Sequence, residues 1–395
     1  MAADFLTDLD LYELLSQNTT EQFLNMTEAD CLHDGVRDVL KVLHDNITFN
    51  TSHCPQVLQP KLLTHSQYFY SYFTPVILLV GLTGNILSLR VFLSKNMRKL
   101  SASTYLAALS TSDILALTFY VFVDWLKRGL PALNSDLKVM FLETDVVCQA
   151  FLYLSYLSRF LSAWFIVSFT AERYIGVCLP LRRKDICGKR FSQKIICSLV
   201  VCSGCIMMYK PLLSGVYEIN HTKVKMCTRD PELSFPVFIL DSIFAVMITF
   251  IPFIIITVLN TLIMRKLFLR NKKHRSIKII TEESIIKLEF TIILLVISFV
   301  FIALNLPFFC VWCKQFLLSI SASMNKHAHD FDNMQGLLLI TRVIFYLNYC
   351  INFFLYSVTG AYFRKELKIL FFYKSPDVKD YRRCSHYTTT PNSWV

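Results

Sequence analysis

Residues 146–174 read VVCQAFLYLSYLSRFLSAWFIVSFTAERY, an apolar segment that ends in the triplet Glu172-Arg173-Tyr174. Arg159 is the only charged side chain before that triplet. A helix needs about 20 apolar residues to cross the hydrocarbon core of a bilayer, so this segment is long enough to span a membrane. The triplet then lies where the helix leaves the bilayer.

Six further apolar segments surround this one in the chain. In order, the seven are Tyr72–Leu93, Tyr105–Val123, Val146–Ala171, Ile195–Tyr209, Phe235–Met264, Phe290–Cys313 and Gly336–Phe363. The 395 residues are 54% hydrophobic and 17% charged, whereas soluble domains carry about 25% charged residues. In lipid, a helix satisfies all its own backbone polar groups. The sequence therefore predicts an all-α membrane protein, a seven-transmembrane helix bundle.

Charge in the loops sets the predicted orientation. The loops after spans 1, 3 and 5 hold 17 basic and 3 acidic residues, whereas those after spans 2, 4 and 6 hold 9 of each. Residues 1–50 contain ten acidic side chains and two basic ones. Because basic loops stay in the cytoplasm, the N-terminus is predicted outside a plasma membrane. The formal charge of +11 then reflects this topology and an attraction to anionic membrane lipids. No nucleic-acid partner is expected.

Sequons and cysteines agree with this orientation. Five glycosylation acceptors fall on the predicted outside: Asn18, Asn25, Asn46, Asn50 and Asn220. Four cysteines fall there too, namely Cys31, Cys54, Cys148 and Cys227. Four cysteines in an oxidising compartment allow three pairings.

The chain divides into four predicted regions. They are an extracellular glycosylated tail (1–68), the seven-span bundle (69–360), a short amphipathic cytoplasmic helix 8 (361–373) and a cytoplasmic tail (374–395). In the third region apolar Phe363 and Leu367 alternate with basic Arg364 and Lys368. That pattern is typical of a helix lying in the membrane interface.

Several polar side chains fall inside the apolar spans. Asp113 is the only charge in span 2, and span 7 carries Asn348, Asn352 and Tyr356. Asn352 and Tyr356 are four residues apart and share a helix face. A polar group inside a membrane helix needs a partner in the bundle and marks a functional region.

These features resemble class A (rhodopsin-like) G-protein-coupled receptors over roughly residues 70–372. The resemblance rests on the Glu-Arg-Tyr triplet, Asp113, the Asn352–Tyr356 element and the span prolines Pro252 and Pro307. It implies coupling to a heterotrimeric G protein and a disulfide between Cys148 and Cys227. It also implies a polar core that binds a sodium ion (Asn85, Asp113, Ser162, Asn348, Asn352). The implied activation switch comprises Glu172, Arg173, Tyr174, Asn260, Pro307 and Tyr356.

The chain departs from the family pattern at informative positions. Phe353 replaces a proline, so span 7 is expected to kink less. Lys287 stands where some receptors carry a carboxylate that pairs with the triplet arginine. We therefore expect Glu172 to be the resting partner of Arg173, with a weak restraint on span 6 and detectable signalling without ligand.

The outer halves of the spans define a ligand pocket. Span 7 lacks the lysine that retinal requires, and Ser155 replaces the aspartate of monoamine receptors. The predicted ligand-binding residues are Asp124, Ser155, Tyr156, Arg159, Asp241, Asn305, Trp312, Gln315, Arg342 and Tyr346. Arg159 either pairs internally, for instance with Asp124 or Asp241, or meets a charged group of the ligand.

This polar, aromatic pocket favours a receptor for an extracellular neuropeptide. Within class A the chain looks most similar to invertebrate neuropeptide receptors near the FMRFamide, myosuppressin and thyrotropin-releasing-hormone receptor groups. The alternatives are a receptor for a small anionic or other non-peptide ligand, and a transporter or channel. No nucleophile–base pair, metal-ligand spacing or phosphate loop points to an enzyme. The tail suggests arrestin binding and, through Ser393-Trp394-Val395, a PDZ-domain partner.

Overall fold

A computed structural model describes residues 61–134, 139–179, 188–218, 225–273, 282–320 and 328–372. Several predictions fall outside these ranges: the sequons at Asn18, Asn25, Asn46, Asn50 and Asn220, the cysteines Cys31 and Cys54, and the tail 374–395. Lys287 and Gln315 belong to a described helix, but their side chains lie outside the described part.

The described residues form twelve α-helices and one two-stranded sheet. The helices are α1 (Lys61–Phe92), α2 (Ser101–Ala116), α3 (Phe122–Leu133), α4 (Asp145–Cys178), α5 (Lys189–Met207), α6 (Tyr209–Leu212), α7 (Ser234–Ala245), α8 (Ile251–Lys273), α9 (Glu282–Ile320), α10 (Ala328–Cys350), α11 (Asn352–Thr359) and α12 (Ala361–Phe372). The strands are β1 (Ser214–Glu218) and β2 (Lys225–Arg229). Short 3-10 turns cover Met97–Lys99 and Met140–Glu143.

By length and composition, six of the described helical segments are able to cross a membrane. They are Leu62–Phe92, Ser101–Leu133, Asp145–Cys178, Lys189–Leu212, Phe235–Leu269 and Leu288–Lys314. A seventh crossing is a bent pair, Asn333–Cys350 and Asn352–Thr359. We number these seven segments spans 1 to 7. The predicted seven-span helical bundle is confirmed.

Span 7 breaks between α10 and α11, and its two halves differ in direction by 51°. The prediction that this span kinks less because Phe353 replaces a proline is wrong. Asn85 of span 1 donates to the carbonyl of Tyr349 at 2.6 Å, and Asn352 donates to the carbonyl of Asn348 at 3.3 Å. Helix carbonyls accept from backbone N–H groups four residues on. Side-chain amides that compete for them bend the helix without a proline.

Two glycines let span 1 approach span 7. A Cβ added to Gly84 would stand 2.9 Å from the Cβ of Phe353, and one added to Gly81 would stand 3.3 Å from the Cα of Cys350. Small residues permit this kind of close helix packing in membranes. The same approach carries Asn85, the residue after Gly84, into the break of span 7.

Spans 2 and 5 each contain a single π-helical turn, at Leu117–Val121 and Val246–Phe250. No sequence pattern predicted these turns. A π turn inserts one extra residue into a helical turn, rotates the residues that follow and is frequent at functional sites. Both turns lie beside the outer cavity, which Tyr120 and Thr249 help to line.

The β1–β2 hairpin caps one end of the bundle. Its strands are antiparallel, with Val216 opposite Cys227, and Cys227 forms a disulfide with Cys148 near the start of span 3. The predicted pairing of these two cysteines is confirmed. We call the end that carries the hairpin the outer end and the end that carries Glu172-Arg173-Tyr174 the inner end.

Helix α12 follows span 7 at the inner end. Phe363 is buried and its ring packs against Phe92 of span 1 and Tyr356 of span 7. Glu366 is also buried and accepts hydrogen bonds from Ser94 and Asn96, which follow span 1. These contacts fix α12 against the connection between spans 1 and 2.

Candidate functional site

A cavity of about 270 Å³ opens between spans 2, 3, 5, 6 and 7 beneath the hairpin. Eight of the ten predicted ligand-binding residues line it, namely Asp124, Ser155, Tyr156, Arg159, Asp241, Asn305, Trp312 and Arg342. Tyr346 is fully buried and is not part of the lining. The side chain of Gln315 lies outside the described part. We call this space the outer cavity.

Asp124 lies at the centre of a cluster that joins spans 1, 2 and 7. Its carboxylate pairs with Arg128 at 3.2 Å and with Arg342 at 3.1 Å. It also accepts hydrogen bonds from the hydroxyls of Tyr70, at 2.8 Å, and Tyr346. One carboxylate therefore holds two arginines, and the group keeps one net positive charge. We call these five residues the Asp124 cluster.

Asp241 of span 5 forms a second buried pair at the edge of the outer cavity. It accepts from the ammonium of Lys210 at 2.7 Å and from the hydroxyl of Tyr209 at 3.0 Å. The Lys210 side chain is 8% exposed and that of Asp241 is 12% exposed. Since both ions are largely removed from water, the pair ties the outer end of span 4 to span 5.

Arg159 of span 3 has no carboxylate partner among the described residues. Its Nε donates to the carbonyl of Ser155 at 3.2 Å. Its Cζ lies 4.2 Å from the ring centre of Tyr120, 4.5 Å from Tyr156 and 5.0 Å from Phe244. Aromatic faces attract a cation through their quadrupole.

Arg159 therefore does not pair with Asp124 or Asp241, the two examples given for an internal partner; its internal contacts are the carbonyl of Ser155 and the three rings. Each of those carboxylates lies against other basic groups. Sequence alone placed all three charges in the outer halves of spans, but it did not show which lie close enough to pair.

The remaining cavity residues occupy its inner side and its rim. Asn305 of span 6 is buried and donates to the carbonyl of Phe301 at 2.6 Å. Trp312, two helical turns further out, stacks on Phe309 with ring centres 6.3 Å apart. An amide and a series of aromatic rings therefore line the span 6 side of the cavity.

Four side chains of this site were missed from sequence: Arg128, Lys210, Tyr120 and Phe244. Arg128 and Lys210 were assigned to loops, whereas α3 continues to Leu133 and α6 to Leu212. A signal was present for Arg128, because it follows Asp124 by four residues, a spacing that places opposite charges on one helix face. Nothing in the sequence pattern singled out the two rings.

Asp113 is fully buried below the outer cavity. Its carboxylate accepts from the hydroxyl of Ser162 at 2.6 Å and from the amide of Asn352 at 2.7 Å. The structure thus joins three of the five predicted polar-core residues directly. Asn85 and Asn348 instead donate to backbone carbonyls in or next to this region, those of Tyr349 and Phe345.

The triplet lies at the inner end of span 3. Arg173 pairs with Glu172 at 3.1 Å and donates to Ser101 of span 2 at 3.4 Å. The expected ion pair between Glu172 and Arg173 is present. Tyr174 packs against the apolar core of the inner half. Pro307 lies inside α9.

Two other predicted switch residues do not contact Arg173. The side-chain oxygen of Asn260 and the hydroxyl of Tyr356 are buried and have no hydrogen-bond partner in the described part of the chain. Buried polar groups without a partner cost free energy, so these two side chains gain by any rearrangement that supplies one.

Glu289 holds the inner end of span 6 to α12. Its Oε1 accepts from the backbone N–H of Tyr362 at 2.6 Å, in the first turn of α12. The first N–H groups of a helix lack partners within the helix and carry partial positive charge, so a carboxylate is favoured there. The sequence did not predict this contact. At this end of span 6 it pointed to Lys287, for its relation to Arg173.

Comparison with known proteins agrees with this geometry. Residues 84–356 match the model of the family described as 7 transmembrane receptor (rhodopsin family). The thyrotropin-releasing hormone receptor of Gallus gallus is 30% identical over 221 residues, which cover 53% of this chain and 53% of that protein.

Two further relatives are more distant. The growth hormone secretagogue receptor type 1 of Sus scrofa is 25% identical over 297 residues, covering 72% of this chain and 75% of that protein. The gastrin/cholecystokinin type B receptor of Rattus norvegicus is 28% identical over 200 residues, covering 49% and 41%. The chain spans about half the length of the thyrotropin-releasing hormone receptors it matches.

Proposed function

Because the chain belongs to the rhodopsin family of seven-transmembrane receptors, we propose that it binds an extracellular neuropeptide and activates heterotrimeric G proteins. The observation that carries this proposal is the outer cavity. Basic, acidic, amide and aromatic side chains line it together, and such a lining suits the charged and amide groups of a short peptide. The relatives reported above are receptors for peptide hormones.

Activation in this proposal is a shift between two packings of the bundle. A ligand shifts such an equilibrium only through contacts that differ between the two states. The path inward runs from Arg159 to Ser162, one helical turn along span 3, and Ser162 donates to Asp113. Asp113 in turn accepts from Asn352, next to the break in span 7.

At the inner end the same shift would free Arg173 from Glu172 and supply partners to Asn260 and Tyr356. Outward movement of span 6 would open the cleft that a G protein enters. The contact between Glu289 and Tyr362 would then break, because it joins span 6 to α12.

A sodium ion at Asp113 is part of the proposal. Carboxylate, hydroxyl and amide oxygens are the ligands of a hard cation, and Asp113, Ser162 and Asn85 carry them. The side-chain oxygen of Asn85 is buried and has no hydrogen-bond partner among the described residues, which fits a site for a cation. Bound sodium would offset the charge of Asp113 in the resting packing.

The proposed orientation puts the outer end outside the plasma membrane. Support comes from the excess of basic residues in the loops of the inner end. The N-terminal sequons would then meet the glycosylation machinery, and the C-terminal tail would meet arrestin and a PDZ-domain protein. The apolar face of α12 would contact membrane lipid.

A neuropeptide library applied to cells that express the full chain tests the proposal, with calcium and cAMP as readouts. We expect at least one peptide to raise a second messenger above the level in untransfected cells. Arg173→Gln should abolish that response, whereas Arg190→Gln, an exposed arginine near the start of span 4, should leave it intact. Activation by non-peptide metabolites alone would contradict the choice of a peptide.

A receptor for a small anionic ligand is the second candidate. The observation that favours it is Arg159, a cavity cation with no carboxylate partner in the described residues. The library test separates the two when dicarboxylates such as succinate are included beside the peptides.

A further inference from the structure

We infer that the ligand of the outer cavity carries a carboxylate and that Arg159, rather than Arg342, receives it. This inference rests on the proposed receptor function and names the chemistry of its ligand. The carboxylate has two sources in a peptide, an acidic side chain or a free C-terminus, and a small acid is a third.

The charge balance of the cavity is the first argument. Its lining holds six basic and two acidic side chains: Lys127, Arg128, Arg159, Lys210, Arg229 and Arg342 against Asp124 and Asp241. Both carboxylates are already occupied by basic partners within the protein. A cavity with this excess of positive charge favours an anionic ligand and disfavours a cationic one.

The position of Arg159 is the second argument. A guanidinium has five N–H donors in one plane, and in the described residues Arg159 uses its Nε, toward Ser155. Three aromatic rings lie within 5.0 Å of its Cζ and fix the group in place. The remaining donors suit a carboxylate that accepts two parallel hydrogen bonds.

Four of the other five cavity cations are less suited to this role for reasons of pairing or exposure, and the fifth, Arg229, also has an interaction within the protein. Arg342 and Arg128 share Asp124, and Lys210 pairs with Asp241. Lys127 is exposed, so water screens its charge. A ligand carboxylate on Arg342 would have to compete with Asp124, whereas one on Arg159 would neutralise a half-buried charge that has no carboxylate partner among the described residues.

The depth of Arg159 links this contact to signalling. Ser162 lies three residues further along span 3, on the same face of the helix, and its hydroxyl donates to Asp113. A ligand carboxylate that binds Arg159 therefore lies one helical turn from the polar core. Contacts at the rim, such as those of Lys127, lack this connection.

Paired peptide pools applied to cells expressing the full chain test the inference. One pool of synthetic tetrapeptides contains Asp and Glu, its partner contains Asn and Gln, and each is made as free acid and as C-terminal amide. We expect activation mainly by carboxylate-bearing peptides, with at least a tenfold loss of potency when that carboxylate becomes an amide. Comparing free acids with amides shows whether the receptor recognises the C-terminal carboxylate or a side-chain carboxylate.

Variants assign the effect to Arg159. Arg159→Gln should bring the matched acidic and neutral peptides within about threefold of each other, and Arg159→Lys should restore part of the preference. Lys225→Gln, which removes one positive charge from the hairpin outside the cavity lining, should keep the full tenfold preference. Surface expression of each variant is measured by antibody to an N-terminal epitope. If Arg159→Gln does not reach the surface, the reduced preference expected of Arg159→Lys is the test.

The outcomes separate the two proposals. Peptides that activate equally with and without carboxylates would overturn the inference and leave the peptide receptor standing. Activation by acetate, succinate or glutamate alone, lost in Arg159→Gln, would support the inference and contradict the peptide. Silence toward every carboxylate probe at verified surface expression would overturn it.

Discussion

The outer and inner halves of the bundle treat their polar groups differently. In the outer half, Asp124 and Asp241 each receive at least two hydrogen-bond donors from other spans or span ends. In the inner half, the side-chain oxygen of Asn260 and the hydroxyl of Tyr356 have no hydrogen-bond partner in the described part of the chain. The two carboxylates of the outer half are thus held in place before ligand arrives, whereas these two side chains of the inner half have contacts still to gain.

This difference suits a receptor whose outer half binds a ligand and whose inner half changes its packing. Side chains held in place lose less conformational entropy when a ligand binds. An inner half in which buried polar groups of Asn260 and Tyr356 still lack partners among the described residues is easily biased by contacts made elsewhere. Changes in the outer half should therefore alter stability and ligand binding, and changes in the inner half should alter signalling without ligand.

Breaking the Asp124 cluster should have the largest effect. Asp124→Ala leaves Arg128 and Arg342 without their carboxylate, and an uncompensated buried charge costs about 3–5 kcal/mol. We expect a large fall in the thermal stability of the receptor in detergent and in its surface expression. Glu232→Ala, an exposed carboxylate at the outer end, is the matched control and should change neither.

Loss of the disulfide should be the next largest effect. Cys148 and Cys227 are 79 residues apart in sequence, and a native disulfide contributes about 2–4 kcal/mol. Cys148→Ser should lower thermal stability and reduce peptide responses, because the hairpin over the outer cavity loses its anchor. Cys202→Ser, an exposed cysteine of span 4, should be neutral in both measurements.

Changes in the inner half should alter signalling without ligand rather than stability. Glu172→Gln removes the charge opposite Arg173, and a hydrogen bond to a charged group contributes about 1.5–3 kcal/mol. A loss of about 1.4 kcal/mol changes an equilibrium tenfold, so the ratio of active to resting receptor should rise about tenfold. Basal cAMP and calcium at equal surface expression measure this. Unchanged basal output would show that this pair does not hold the resting state.

The contact between Glu289 and α12 should give the smallest change. Glu289→Gln keeps an acceptor for the N–H of Tyr362 but removes the charge that favours a helix N-terminus, an effect of about 0.3–1 kcal/mol. Basal signalling should rise about two- to fivefold. Lys266→Gln, an exposed charge at the inner end of span 5, should leave it unchanged. A fall in basal output on Glu289→Gln would reverse the proposed role of this restraint.

Sequence was sufficient for features that depend on local pattern. Apolar length predicts the spans because lipid demands helices, and the family resemblance implied the Cys148–Cys227 disulfide. The expectation that span 7 kinks less was wrong, because it rested on Phe353 alone. The bend comes from Asn85 of span 1, which reaches a span 7 carbonyl across the bundle.

The candidate site shows the same limit. Sequence placed Asp124, Arg159 and Arg342 in one pocket, but it did not show which carboxylate meets which cation. That outcome depends on where helices end, since Arg128 and Lys210 fall on helices rather than in loops. It depends also on rings from three spans that meet at Arg159.

Nucleotide exchange on G proteins, in membranes from cells that express the full chain, tests the receptor function most directly. Exchange without ligand should exceed that in membranes from untransfected cells, and an activating peptide from the acidic pool should raise it further. Arg173→Gln should abolish both increments. Exchange equal to that of untransfected membranes, with and without peptide and at verified receptor content, would contradict the account.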